Sequence, residues 1–134
     1  MHNNEITDAF FDLDHTLWDF DKNSGLAFQR VFRKHNIELP LTDFLREYEP
    51  VNLVYWKKYR DEQVTQEQLR RGRFTETFDV FKLKLPIETI DALAVSYIDE
   101  LPVSNHLFEN TLDILEYLSS KYKLHIIANG FLEV

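Results

Sequence analysis

The sequence contains no cysteine, which excludes a disulfide framework and a thiolate zinc site. Glycine is nearly as scarce: only Gly25, Gly72 and Gly130 occur, where an average usage of about 7% would supply about nine. Most of the chain is therefore predicted to be helical. Positive charge is also in deficit, because 15 Lys and Arg against 23 Asp and Glu leave a net −8, a balance unsuited to gripping the phosphate backbone of a nucleic acid polymer. No apolar run approaches the ~20 residues of a membrane helix, and Met1 to Asp8 lacks a basic-then-apolar signal pattern. These absences predict a soluble, cytoplasmic protein with no nucleic acid polymer and no membrane as partner. What is present is material for a core. Of the 134 residues, 44% are apolar, enough for one compact unit, and the 11 Phe are spread from Phe10 to Phe131 as packing between helices would distribute them.

Ile6 to Leu13 carries the apolar run Ala9, Phe10, Phe11, Leu13 between carboxylates and reads as a strand buried on both faces. From Ser24 the period becomes helical through Phe28, Val31, Phe32 and His35, with Asn36 placed to close the helix. After Pro40, the residues Phe44, Leu45 and Tyr48 form one stripe, and Pro50 is predicted to split this region into two helical segments before Val51, Val54, Tyr55 and Tyr59 resume. Thr65 and Gln68 have capping-box spacing and introduce a helix over Leu69 to Leu83 that Gly72 weakens. Pro86 suits a first turn ahead of the stripe Ile87, Ile90, Ala94, Tyr97, Ile98, Leu101, which ends near Pro102. A last helix through Phe108, Leu112, Leu115 and Leu118 leads to a second buried strand, Leu124 to Ala128, and a turn at Asn129-Gly130. A connection full of helices implies that the two strands are parallel.

Five carboxylates, Asp8, Asp12, Asp14, Asp19 and Asp21, fall within fourteen residues, and no Lys or Arg occurs among them before Lys22. Crowding of this kind is costly unless a cation joins it. Residues two apart on a strand point the same way, so Asp12 and Asp14 are expected to face one crevice at the carboxyl edge of a parallel sheet. Hard oxygen donors in that position suit Mg²⁺, which bridges to a substrate phosphate. One carboxylate can then attack phosphorus while the other serves as acid and base. On spacing alone, a solvated acidic turn after a strand explains D-x-D equally well.

The flanking residues are more specific. Phe10-Phe11-Asp12-Leu13-Asp14-His15-Thr16-Leu17 resembles the first motif, hhhDxDxT, of the haloacid dehalogenase (HAD) superfamily, and Trp18-Asp19-Phe20-Asp21 resembles its pyrimidine 5′-nucleotidase-like branch. Leu124 to Phe131 is similar to the second motif, hhhhTNGF, and the helical stretch between them matches an inserted cap. The resemblance implies an α/β fold: a partial Rossmann-like parallel-sheet core from residues 1–22 and 104–134, with an all-helical cap over 23–103. It implies a Mg²⁺-dependent phosphatase in which Asp12 is the nucleophile and Asp14 the acid/base. Both belong to the metal site, Asp14 through its backbone carbonyl. Thr16 would hold the motif loop and, with Asn129 and Gly130 at the turn, bind the substrate phosphate. The substrate class implied is a small phosphate monoester, a nucleoside 5′-monophosphate in particular.

Three departures bear on this expectation. Ala128 stands where the second motif carries a hydroxyl, a loss expected to cost up to ~10²–10³ in rate. Phe108-Glu109-Asn110-Thr111 replaces the usual Pro-Gly pair. The sequence reaches Val134 just after the second motif, so the Lys of the third motif and the acidic ligands of the fourth have no counterpart within it. A truncated or degenerate relative that binds phosphate or a partner without turnover is the alternative, and self-association through an open sheet edge is expected. A phospho-accepting receiver fits the acidic crevice but not the early helical insertion.

Arg70, Arg71 and Arg73 read as an exposed helix face balanced by Glu67 and Glu76. His15 reads as a positioning or flap residue and His125 as a packed strand residue. Trp18 and Phe20 fit equally an apolar wall for a nucleobase or packing between core and cap.

Overall fold

The computed structural model describes residues 5–128. Asn129, Gly130 and Phe131, which carry part of the second-motif expectation, lie outside the described residues. The order of elements is β1 (Asp8–Asp12), α1 (Phe20–Lys34), α2 (Leu41–Arg60), α3 (Gln66–Val80), α4 (Ile87–Glu100), a 3-10 turn (Leu101–Val103), α5 (Thr111–Ser119) and β2 (Lys123–Ile127). β1 and β2 pair in parallel, with Phe10 opposite His125 and Asp12 opposite Ile127. The result is an α/β fold: a small parallel sheet with an all-helical insertion between its two strands.

Helix boundaries follow local chemistry. α1 starts four residues before the predicted Ser24, because the Asp19 side chain accepts from the Lys22 N–H at 3.3 Å and caps the orphan donors of the first turn. α3 opens on the expected capping box, with Gln68 N–H donating to Thr65 Oγ1 at 3.1 Å and Thr65 N–H donating to Gln68 Oε1 at 2.8 Å. It ends at Val80 rather than Leu83. α1, α2 and α3 are each followed by a left-handed residue, Asn36, Glu62 and Lys82, with φ of 55°, 58° and 55°. Glycine usually takes that role. A chain this poor in glycine makes its helix stops with side-chain-bearing residues, each at a cost of roughly 1 kcal/mol.

Two helix expectations are corrected. Pro50 does not divide its region: α2 runs unbroken from Leu41 to Arg60 with Pro50 inside it. Tertiary packing overrides the lost hydrogen bond, since Phe44 and Tyr48 before the proline are buried and Tyr55 and Trp56 after it pack on the same core. Gly72 is not simply a weak point. A Cβ there would lie 2.3 Å from the Tyr55 ring, so glycine permits α2 and α3 to approach.

The core belongs to the helices. Phe28 is fully buried and touches five other rings: Phe32, Phe44, Tyr48 and Phe74 edge-on, and Tyr97 stacked at 4.3 Å. The strands differ from expectation, for neither is buried on both faces. Phe10 is 62% exposed, Ile126 60% and Ile127 56%, because among the described residues α5 is the one helix packed against the sheet. The apolar runs gave the right element and the wrong environment.

Candidate active site

Asp12 closes β1 and is exposed, with the Leu13 N–H donating to its Oδ1 at 3.0 Å. The chain then folds tightly back. The Leu13 carbonyl accepts from the N–H groups of Thr16, Leu17 and Trp18 at 3.3, 3.0 and 2.9 Å, and the His15 N–H donates to the Trp18 carbonyl at 3.1 Å. His15 takes a left-handed φ of 63° to make this turn, a position where a histidine is tolerated better than a β-branched residue. Thr16 stands exposed in the same loop.

The fold leaves Asp14 half-buried. Desolvation pushes its carboxyl pKa above the ordinary range, His15 opposes that shift, and the negative charge of Asp12 adds to it. The two carboxylates therefore sense each other but occupy different environments. Asp12 is open to solvent and available as a nucleophile. Asp14 is biased towards the protonated form that a general acid requires.

The other acidic residues disperse. Asp8 pairs across the strands with His125 at 2.8 Å, Asp19 caps α1, and Asp21 lies in the first turn of α1 with its Oδ1 4.0 Å from His15 Nδ1. His125 is thus half-exposed, hydrogen-bonded to Asp8 and stacked on Phe10 at 4.7 Å, not packed inside a strand. Among the described residues no three His, Asp or Glu groups gather as a metal cage. Mg²⁺ needs only one or two protein carboxylates beside waters and a phosphate, and an exposed carboxylate next to a half-buried one fits that demand.

Trp18 is 8% exposed and donates from Nε1 to Asn105 Oδ1 at 3.2 Å. It belongs to the core, with Phe20 packed against it, and the nucleobase-wall alternative loses that ring. The arginine cluster also divides. Arg71 holds Glu67 at 2.6 Å and Asp91 at 2.7 Å, whereas Arg73 is buried and Glu76 accepts from the Tyr55 hydroxyl. Of the expected arginine face balanced by Glu67 and Glu76, the Arg71–Glu67 pair forms, while Arg73 is buried and Glu76 serves Tyr55.

Sequence reasoning passed over Asn23. Its side chain is fully buried, donates from Nδ2 to the His106 carbonyl at 2.9 Å and accepts at Oδ1 from the His106 N–H at 2.8 Å. Together with Asp19 N–H to His106 O at 3.0 Å and Phe108 N–H to Leu17 O at 3.1 Å, it joins the segment entering the helices to the segment leaving them.

No protein-family model matches the chain. Pyrimidine 5′-nucleotidase YjjG of Escherichia coli is 34% identical over 125 residues, covering 91% of this chain and 51% of that protein. Pyrimidine 5′-nucleotidase PynA of Streptococcus pneumoniae is 26% identical over 121 residues, covering 90% of this chain and 49% of its own length. A crystal structure of YfnB from Bacillus subtilis, described as a magnesium-bound HAD-hydrolase, superposes with a TM-score of 0.84 over 96% of this chain and 54% of that one, at 23% identity. Over about nine-tenths of its length the chain is similar to these proteins, and it shares the fold of the HAD-hydrolase structure. It spans about half the length of the curated relatives it matches. The tight loop after β1 carries the D-x-D pair, and the long helical insertion follows within a few residues. Among the described residues no helix is long and apolar enough to cross a membrane.

Proposed function

We propose that the protein is a HAD-family hydrolase, a cytoplasmic, Mg²⁺-dependent phosphatase that cleaves small phosphate monoesters, nucleoside 5′-monophosphates in particular. One observation carries the reading: exposed Asp12 beside half-buried Asp14, whose carboxyl is held above its ordinary pKa. The Asp12 carboxylate attacks phosphorus, and an Asp–O–P bond forms as the ester O–P bond breaks. Asp14 gives its proton to the departing oxygen, then takes one from the water that hydrolyses the aspartyl phosphate. The Asp12 carboxylate and the Asp14 carbonyl would hold Mg²⁺, which would supply charge neutralisation for the phosphate oxygens. Thr16 steadies the loop, and Asn129 with Gly130 binds phosphate. Residues 23–103 act as a cap over the core formed by 1–22 and 104–134, keeping water from the reacting group. Two nucleotidases among the similar proteins support the choice of substrate class.

Ala128 favours a second reading, phosphate binding without turnover, because it offers no hydroxyl directly after β2. Asp12→Asn in the full-length protein distinguishes them. Hydrolysis of nucleoside monophosphates with Mg²⁺ is expected to fall to background while the melting curve is unchanged. Retained activity in a folded Asp12→Asn protein removes Asp12 from the mechanism. A wild-type protein that binds phosphate but releases none from any ester establishes the second reading.

A further inference from the structure

The tight loop after β1 is anchored on the helices, not on the sheet. Trp18 closes it from both sides of Asp14: its N–H donates to the Leu13 carbonyl at 2.9 Å, and its carbonyl accepts from the His15 N–H at 3.1 Å. The Trp18 ring is 8% exposed and belongs to the helical core, on which Leu13 and Phe20 also pack. Its Nε1–H, the one polar group of the ring, donates to Asn105 Oδ1 at 3.2 Å.

Asn105 is exposed but well held. Its Nδ2 donates to the Pro102 carbonyl at 2.8 Å. On one side of it, Ser104 Oγ accepts from Arg30 Nη1 at 3.0 Å, and on the other, the backbone of His106 is gripped by Asn23. Arg30 in turn holds Glu100, at the end of α4, at 2.6 Å. The side chain of Trp18 is thus tied to the point where the chain leaves the helices, and its main chain to the residues flanking Asp14. Asp12 has a different anchor. It ends β1 opposite Ile127 of β2, and among the described residues none of α1 to α4 packs against β1, β2 or α5. Two carboxylates two residues apart are therefore fixed to different bodies, Asp12 to the sheet and Asp14, through Trp18, to the helices.

We propose that Trp18, with Asn105 as its clamp, is the positioning residue for Asp14: it carries the seating of the helical block to the proton donor and so sets the reach from Asp14 to the leaving oxygen. This rests on the phosphatase reading above. A general acid works only within about 2.6–3.2 Å of the oxygen it protonates, and a misplacement of about 1 Å can cost ~10²-fold. A bulky buried ring whose one N–H is already met holds a single seat in the core, which makes Trp18 a firm post for the loop. Its placement matters for esters whose leaving oxygen needs a proton and little for those that depart as a stable anion.

The test uses full-length wild type, Trp18→Phe, Asn105→Ala and Asn105→Asp. Trp18→Phe keeps a ring and loses the N–H. Both Asn105 variants lose the bond to Pro102, but only Asn105→Asp keeps an acceptor for Trp18. With Mg²⁺ present, kcat/KM is compared on UMP, whose leaving alkoxide needs a proton, and on 2,4-dinitrophenyl phosphate, whose leaving group does not. Hydrogen exchange follows the His15 and Trp18 amides on the same samples. Trp18→Phe and Asn105→Ala are expected to lose roughly 10-fold on UMP and less than about 2-fold on the dinitrophenyl ester. Their His15 and Trp18 amides should exchange faster while α1 to α4 stay protected. Asn105→Asp is expected to return both readouts towards wild type. Equal falls on the two esters, an undiminished rate on UMP, or an Asn105→Asp protein that behaves as Asn105→Ala overturns the proposal. Because Asn105 is exposed, its variants decide the matter even where Trp18→Phe fails to fold. If wild type hydrolyses neither ester, the phosphatase reading fails and exchange alone judges the clamp: loosening in Asn105→Ala that Asn105→Asp reverses supports it, and unchanged exchange overturns it.

Discussion

The helical block and the two-stranded sheet both contain large apolar side chains, yet they differ in what surrounds them. Phe28 in α1 is fully buried among five rings, whereas Phe10 in β1 is 62% exposed and touches the half-exposed His125. A helix in a bundle finds its neighbours on the helices just before and after it, so its apolar stripe is covered by nearby sequence. A strand's faces are covered only by what crosses over the sheet, and here α5 alone does so among the described residues. Apolar content therefore predicts burial in the first case and only the element type in the second.

Breaking the larger side of this comparison gives the largest effect. Phe28→Ala is expected to destabilise the protein by about 3–5 kcal/mol, and Phe10→Ala by less than about 1 kcal/mol, measured by denaturant unfolding with hydrogen exchange on the same samples. Amides of α1 and α4 should exchange far more slowly than those of β1 and β2. Equal losses, or equally protected strands, would erase the distinction.

Gly72→Ala sharpens it from within the block. The added Cβ meets the Tyr55 ring at 2.3 Å, and that ring is tied through its hydroxyl to Glu76 at 2.7 Å. The helix-propensity gain of alanine, about 1 kcal/mol, should be reversed into a net loss of roughly 1–3 kcal/mol. A stabilised Gly72→Ala protein would show that α2 and α3 can separate freely.

The smallest effect belongs to the sheet. Asp8 is held below the ordinary carboxylate range by hydrogen bonds from Thr7 and His125. A carboxyl with a depressed folded-state pKa stabilises above its unfolded value, and that stabilisation is lost as pH falls through the folded one. The stability difference between wild type and Asp8→Asn should be present at neutral pH and shrink as the pH falls below about 4. A difference that grows on acidification would assign the pair no role.

What could be read from the sequence follows the same division between near and distant partners. The first strand was legible because an apolar run is a local fact, and so were the Thr65–Gln68 box and the parallel pairing implied by a helical connection. Pro50 was misread because the packing that carries α2 through it comes from the rest of the bundle. Arg73 was misread because the partners that bury it lie on α2 and α4. Asn23 was passed over because its partner, His106, is 83 residues away, and no local pattern marks an asparagine that matches a distant backbone.

That asparagine makes the helical insertion a cassette. The chain leaves for the helices and returns from them at a single bonded crossing, where Asn23 and Asp19 meet His106 and Leu17 meets Phe108. The two ends of the insertion are thus side by side. Because loop-closure cost grows only with the logarithm of loop length, the crossing constrains the residues that form it and is nearly indifferent to how much chain lies between them. The helices between the two ends can lengthen or shorten with little effect on the crossing itself, provided that the part of the bundle that buries Trp18 is kept.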